Sequence, residues 1–217
     1  MRATGCRSRS GVLALTCALA LTALLGLVPA AAHAEEAAGP DVVVGAVADD
    51  LLELIRSYQD ADDVPAAYYE TVDERMADFV DYPAIAQAVM ARYWAQANPA
   101  QRERFVEVFR RGLVRTYARA LLEFEQQKVA VLPVLPEHLR GNRALVRMEI
   151  TGANGRVYPL QYSMAQDDAG TWRVRNVIVD GVNLGVTYRN QFASAMASGE
   201  ARGDLDAVIE GWTIAGP

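Results

Sequence analysis

Between Trp172 and Phe192 the chain reads WRVRNVIVDGVNLGVTYRNQF, and within those residues a sheet ends and a helix begins. Trp172 and Val174 alternate with Arg173 and Arg175, the period-two pattern of a strand with one apolar face and one wet face. Asp180-Gly181 breaks the run with turn chemistry. Beyond it Leu184, Tyr188, Phe192 and Met196 recur every four residues, the spacing of one helix face.

Upstream of Trp172 the same period holds. Ala144–Ile150 alternates Val146, Met148 and Ile150 with Arg147 and Glu149, and Val157–Met164 sets Tyr158, Leu160, Tyr162 and Met164 against Gln161 and Ser163. Asn154-Gly155 and Asp167–Gly170 supply the turns. Val129 and Val131 make a short strand that Pro133 and Pro136 interrupt. The pattern predicts a meander of three or four antiparallel strands.

Before Lys128 the period is helical. Val44, Val47, Leu51, Leu54, Ile55 and Tyr58 share one stripe, Pro65 stands near the start of a second helix carrying Tyr69, Val72 and Met76, and Pro83 opens a third towards Trp94. Asn98-Pro99-Ala100-Gln101 combines a cap, a first-turn proline and the N3 residue of a capping box. The helix it starts extends to about Gln126, with Phe105, Val108, Phe109, Leu113, Tyr117, Leu121 and Phe124 on its apolar face. A last helix, capped by Asp204, lines up Leu205, Val208, Ile209 and Trp212. Helices first, then an antiparallel sheet, then closing helices is an α+β architecture, with helices on one face of the sheet.

Residues 1–34 read as a cleaved secretory signal peptide: Arg2, Arg7 and Arg9, an apolar run from Leu13 to Val28, and Ala32-His33-Ala34 as the A-x-A site. Both cysteines, Cys6 and Cys17, leave with it, so residues 35–217 form one domain without a thiol for a disulfide, metal ligand or nucleophile. Removing the three arginines leaves 18 basic residues against 27 acidic, a net charge of −9. That balance argues against a nucleic-acid partner.

Candidates for chemistry are sparse. His138 is the single histidine after the signal and offers neither a triad nor a multi-histidine zinc site. Asp49-Asp50, Asp62-Asp63 and Asp167-Asp168 lack calcium-loop spacing. No metal or cofactor is expected, and no acid stands among the inward strand positions, so no catalytic residue is assigned. The facing surfaces are unusually apolar: Val146, Met148, Ile150, Leu160, Tyr162, Met164, Trp172 and Val174 on the strands, and Phe105, Phe109, Leu113, Tyr117 and Leu121 on the long helix. Periodicity alone leaves open whether they form a filled core or the walls of a slot.

Several motifs carry a resemblance. Arg92-Tyr93-Trp94, then Asn98-Pro99-Ala100-Gln101 and Phe105, resemble an R-x-W, T-P-x-Q and F block. Thr116-Tyr117-Ala118 matches T-Y-A, and the W-x-V strand, D-G turn and Tyr188-Arg189-Asn190-Gln191-Phe192 match a W-x-V…Y-R-x-Q-F ending. In this order, over most of the chain, they resemble the MlaC family of periplasmic phospholipid-binding proteins, also called toluene-tolerance proteins. Asn98 stands where Thr is usual, and Asn183 where Ser is common.

The resemblance implies a curved antiparallel sheet like that of the nuclear-transport-factor-2-like and cystatin-like group. It implies a periplasmic carrier that moves phospholipid between an outer-membrane lipoprotein complex and an inner-membrane ABC transporter with an MCE-domain protein, maintaining outer-membrane lipid asymmetry. Acyl chains would sit between sheet and helices, walled by the strand and helix residues named above. Tyr188 and Arg189 are then expected at the mouth, with Arg143 and Arg147 as further phosphate candidates; a surface salt bridge is the alternative for Arg189. A carrier of another amphiphile, such as a hopanoid, and a small-molecule enzyme on the same scaffold remain the rival readings.

Overall fold

Period two resolves into a six-stranded antiparallel sheet: β1 Lys128–Leu132, β2 Leu139–Arg140, β3 Arg143–Thr151, β4 Val157–Gln166, β5 Trp172–Val179 and β6 Val182–Asn183. The computed structural model describes residues 38–58, 64–122, 128–152, 154–198 and 201–214. The segment read as a signal peptide lies outside the described residues. The sheet order is β1-β3-β4-β5-β6, and β2 pairs with β3 beyond the end of β1. An expectation of three or four strands undercounts the sheet, because β2 and β6 are two residues long and leave no periodic signal.

Two irregularities shape the C-terminal half of the sheet. Asp180 and Gly181 both take positive φ, 47° and 84°, the requirement of the two-residue hairpin turn whose twist matches the flanking strands. In β5, Val174 pairs with Met164 and Asn176 with Ser163, so Arg175 is an extra, bulged residue. The bulge shifts the alternation by one. Val177 and Val179 therefore join Trp172 and Val174 on the apolar face, where strict alternation would have placed Asn176 and Ile178.

The helices are α1 Pro40–Tyr58, α2 Ala66–Ala77, α3 Tyr82–Met90, α4 Pro99–Leu122, α5 Leu184–Ala197 and α6 Leu205–Glu210. The capping box at α4 forms in full: the Asn98 amide donates to Gln101 Oε1 at 3.0 Å and the Gln101 amide to Asn98 Oδ1 at 2.9 Å. Asp81 caps α3, accepting from the Ala84 amide at 3.0 Å, so Pro83 occupies the second helical position, not the first. This helix stops short of Trp94. Ala91 turns left-handed at φ 48°, and a 3₁₀ turn over Ala91–Tyr93 follows. The expected reach of α4 to Gln126, with Phe124, lies outside the described residues.

Three apolar clusters hold these elements. One joins α3, α4, α5 and α6 around Phe105, Phe109, Phe192 and Trp212. A second joins the sheet to Val44 of α1 and to Phe79 just after α2. The third packs Leu54, Tyr68 and Val72 against Val114 and Ala118.

Candidate functional site

The apolar face of the sheet is built in rows across the strands, because antiparallel pairing sets same-face residues side by side. The row Ala144–Met164–Val174 is buried throughout, at 6%, 2% and 2% exposure, with Phe79 and Val80 in the same cluster. The next row, Val146–Tyr162–Val177, is buried at Val146 and half-buried at the other two. In Val131–Met148–Leu160–Val179 the two inner residues are buried and the flanking valines half-buried. The row Val129–Ile150–Tyr158 is half-buried throughout. The face is thus closed at one end and opens progressively towards the other, while Val43, Val44 and Val47 of α1 pack on it. Tyr162 sits in the transition, where burial alone pushes its hydroxyl pKa well above the usual tyrosine value.

Eight of the expected wall residues come together on this face: Val146, Met148, Ile150, Leu160, Tyr162, Met164, Trp172 and Val174. The helical ones do not join them. Phe105 and Phe109 are fully buried in the helix cluster, with Leu113 and Tyr117 packed against it, and Leu121 is half-buried. The reason is that their stripe, from Phe105 through Leu113 to Tyr117, packs on α3, α5 and α6, while a second face of α4 carries Val114 and Ala118. Phe105 and Phe109 point at α5 and α6, whereas Val114 and Ala118 point at the Tyr68 cluster.

The expected mouth also separates. Tyr188 is 3% exposed, because its four-residue spacing with Leu184 and Phe192 puts it on the inner side of α5. Its hydroxyl meets that of Tyr117, and its ring stands edge-on to Phe109 at 5.6 Å. Arg189, the next residue, is exposed and makes no ion pair among the described residues. Arg143 and Arg147 alternate with Ala144, Val146 and Met148 on β3, so they lie on the opposite face from the apolar wall. Arg147 is half-buried there, with its Nε enclosed and unpartnered.

Residues that strand and helix spacing did not single out as walls include Val177 and Val179, brought in by the bulge, and Val44, Val47 and Phe79, which pack on the sheet from outside it. The first pair reads as V-x-V one residue out of step with Trp172 and Val174, with Arg175 between.

A surface cavity of about 390 Å³ lies elsewhere, between the α2–α3 connection, α4 and the β4–β5 turn, lined in part by Tyr82, Val106, Arg110, Asp167 and Arg173. Its arginines are engaged. Arg110 holds Asp73 through Nε and Nη2 at 2.6 and 2.9 Å, and Arg173 Nε holds Asp167 at 2.8 Å. Among the described residues no charged side chain is buried, and no three His, Cys, Asp or Glu residues stand close enough to hold a metal. No described helix is long and apolar enough to cross a membrane. What the sheet face offers a ligand is apolar contact.

Residues 45–213 match the family model of the MlaC protein. A curated relative, toluene tolerance protein ttg2D of Pseudomonas putida, is 39% identical over 173 residues, covering 79% of this chain and 78% of its own. The intermembrane phospholipid transport system binding protein MlaC of Haemophilus influenzae is 27% identical over 149 residues, 67% of this chain and 69% of that one. Among solved structures, a phospholipid-binding protein from Ralstonia solanacearum, in complex with a phospholipid, superposes with a TM-score of 0.69. It is 27% identical, and the match covers 80% of this chain and 94% of that one.

Proposed function

The chain belongs to the MlaC family, and from that premise we propose that it is a phospholipid carrier of the periplasm, delivered there by a cleaved signal peptide at residues 1–34. Residues 35–217 are then a single lipid-binding domain. It exchanges its cargo with an outer-membrane lipoprotein complex and with an inner-membrane ABC transporter bearing an MCE-domain protein. Acyl chains lie along the sheet face beneath α1, at the end where Val129, Ile150, Tyr158, Val177 and Val179 are half-buried.

The observation that carries this reading is the gradient itself. A soluble domain whose core were complete would close an apolar sheet face over its whole length. Here closure stops part way, on residues that are apolar and therefore gain nothing from water. The energetics demand such a wall. Moving two acyl chains into water costs about 0.8 kcal/mol per methylene, on the order of 20 kcal/mol for roughly 30 methylenes, so unaided release is negligible. A carrier must match that burial without greatly exceeding it, or handover stalls.

Native mass spectrometry of the protein purified from its own periplasm without detergent, with extraction of the bound mass, tests the reading. One phospholipid per chain is expected; a hopanoid mass would transfer the reading to another amphiphile, and bare protein that also takes nothing from liposomes would end it. Met148 and Leu160 are too deeply buried to accept a charge without threatening the fold, so the matching variant is Ile150→Asp. It should stay folded and lose lipid occupancy by at least about tenfold, since the carboxylate must be desolvated by the chains. Unchanged occupancy would remove the open end of the face from the site.

A further inference from the structure

The strands and the helices of this chain differ in charge. Residues 128–183 hold seven basic and five acidic residues, a net charge of +2, whereas the remainder of residues 35–217 holds 11 basic and 22 acidic, a net charge of −11. Three of the seven strand-region cations are engaged with neighbours: Arg156 holds Asp180 at 2.7 Å, Arg173 holds Asp167 at 2.8 Å and Arg175 holds Asp81 at 3.0 Å. Arg140, Arg143 and Arg147, three of the four that remain, make no ion pair among the described residues.

Those three share the face of the sheet opposite the apolar wall. Arg140 of β2 stands directly across from Arg143 of β3, and Arg147 follows four residues along β3, about 13 Å away. Arg140 and Arg143 are exposed. Like charges directly opposite on a ladder are destabilising, and no described carboxylate offsets this pair. Glu149, two residues beyond Arg147 on the same face, forms no ion pair with it. Leu145, half-buried between Arg143 and Arg147, belongs to none of the three apolar clusters of described residues. At the arginine end, Leu139 is 43% exposed, and Leu135, just before the 3₁₀ turn Pro136–His138, is 41% exposed. Glu137 is the single acid in the connection 133–142.

We propose that this basic ribbon on β2 and β3 is a docking surface for an anionic lipid bilayer. Guanidinium groups strung along a strand match a negative charge spread evenly over a surface, and exposed leucines beside arginines are the pairing that settles at a bilayer interface. Charge asymmetry supplies the orientation. On the other face of the sheet α1 carries four acidic residues and one basic, so an anionic surface repels that side and draws the ribbon towards itself. The proposal goes beyond the carrier reading and concerns the face of the sheet away from the acyl chains. Docking and cargo therefore do not compete, and a domain held on a bilayer searches in two dimensions for partners that sit in it.

The test is flotation of the periplasmic protein with two vesicle preparations, one of equal parts phosphatidylglycerol and phosphatidylcholine, the other of phosphatidylcholine alone. Wild type should float with the first and not with the second, and added salt should release it, since the contact is exposed and screened. Arg140→Gln, Arg143→Gln and Arg147→Gln should each weaken partitioning about fivefold, and Arg140→Gln combined with Arg143→Gln about thirtyfold. Arg115→Gln combined with Arg119→Gln makes the same change of net charge at two exposed positions on α4 and should leave partitioning as it is.

Equal losses in the strand and helix variants would mean that net charge and not this face governs the contact, and would overturn the proposal. So would wild type that floats with neither preparation, which would leave the ribbon to an acidic protein surface, or with both alike, which would make the contact merely apolar. Native mass spectrometry of the same variants keeps the two readings apart. Lipid occupancy should match wild type when the ribbon is neutralised, because the arginines lie away from the wall; failed flotation with occupancy intact overturns this inference alone, and bare wild-type protein that still floats overturns the carrier reading alone.

Discussion

Two apolar regions of similar extent are built on opposite plans. In the helix cluster, rings interlock: Phe105 meets Phe192 at 5.0 Å and Trp212 at 5.5 Å, both near perpendicular, and Phe192 meets Trp212 at 5.4 Å. Phe105, Phe109, Phe192 and Ile209 are wholly buried. The sheet face instead carries mostly valines and methionines, with, among the described residues, one ring contact to a neighbouring element, Phe79 to Tyr162 at 6.2 Å, and it loses its cover row by row. Large rigid rings on α4, on α5 and just after α6 give the domain a core that stands without help. Smaller, more adaptable side chains on the sheet can then be left partly open for another apolar body. A carrier needs both, because an emptied wall must not unfold the protein.

The largest expected effect tests that division directly. Phe109→Ala should cost about 3–5 kcal/mol, the usual result of emptying a full aromatic site. Val179→Ala, at the open end of the sheet face, should cost about 1 kcal/mol or less, since a half-buried valine has little further area to lose. Both are read from denaturant midpoints without lipid. Comparable losses would mean that the sheet face is ordinary core, and the distinction drawn between the two regions would fail.

The junction between the regions is the next place to press. Asn183 ends β6, caps α5 and accepts from Asn176, while Gly185 passes so close that an added Cβ would sit 2.6 Å from Asn176 Oδ1. Asn183→Ala should cost about 1–2 kcal/mol through the lost cap. Asn183→Ser keeps an acceptor at the cap and should fall within about 0.5 kcal/mol of wild type, because Ser and Asn cap about equally well. A serine variant as damaged as the alanine one would assign the role of Asn183 to its partnership with Asn176 alone.

How much of this was legible depends on which interaction placed each residue. The capping box at Asn98 and Gln101, the cap at Asp204 and the turn at Asp180-Gly181 are local, and local chemistry is written in adjacent residues. The rows of β3 and β4 were legible because one strand period runs through them unbroken. The bulge at Arg175 was not, since nothing but pairing with β4 reveals which residue has no partner. The two-faced burial of α4 was hidden for a related reason: Phe105 through Leu121 shows one apolar stripe, and only the neighbouring helices decide that Phe105 to Tyr117 on it serve one cluster while Val114 and Ala118, beside it, serve another. Tyr188 could be placed on the inner stripe of α5 by its spacing. That its hydroxyl would find Tyr117, 71 positions earlier, was beyond any spacing argument.

The smallest effect concerns how the closed end of the sheet is held shut. Asp167, in the β4–β5 turn, accepts from the Ala169 and Thr171 amides at 3.0 and 2.9 Å and from Arg173 Nε at 2.8 Å. Arg173 also donates to the Ala77 carbonyl at 3.2 Å, tying the end of α2 to the sheet beside Phe79. The Arg173 guanidinium first, and then the turn amides, hold the Asp167 carboxyl below its ordinary value of 3.8. A lowered carboxyl stabilises the fold fully above the unfolded value and loses that contribution as pH falls through the folded one. Wild type should therefore weaken more steeply than Asp167→Asn below about pH 4 and match its pH dependence near neutrality. The difference is small, because the group is largely solvated. It should be visible as faster exchange of the Val174 and Asp81 amides, which donate to the Phe79 and Val174 carbonyls, with no change around Phe105 and Phe192. Equal acid slopes in the two proteins would mean that apolar packing from Phe79 and Val80 closes that end of the sheet without the polar tie.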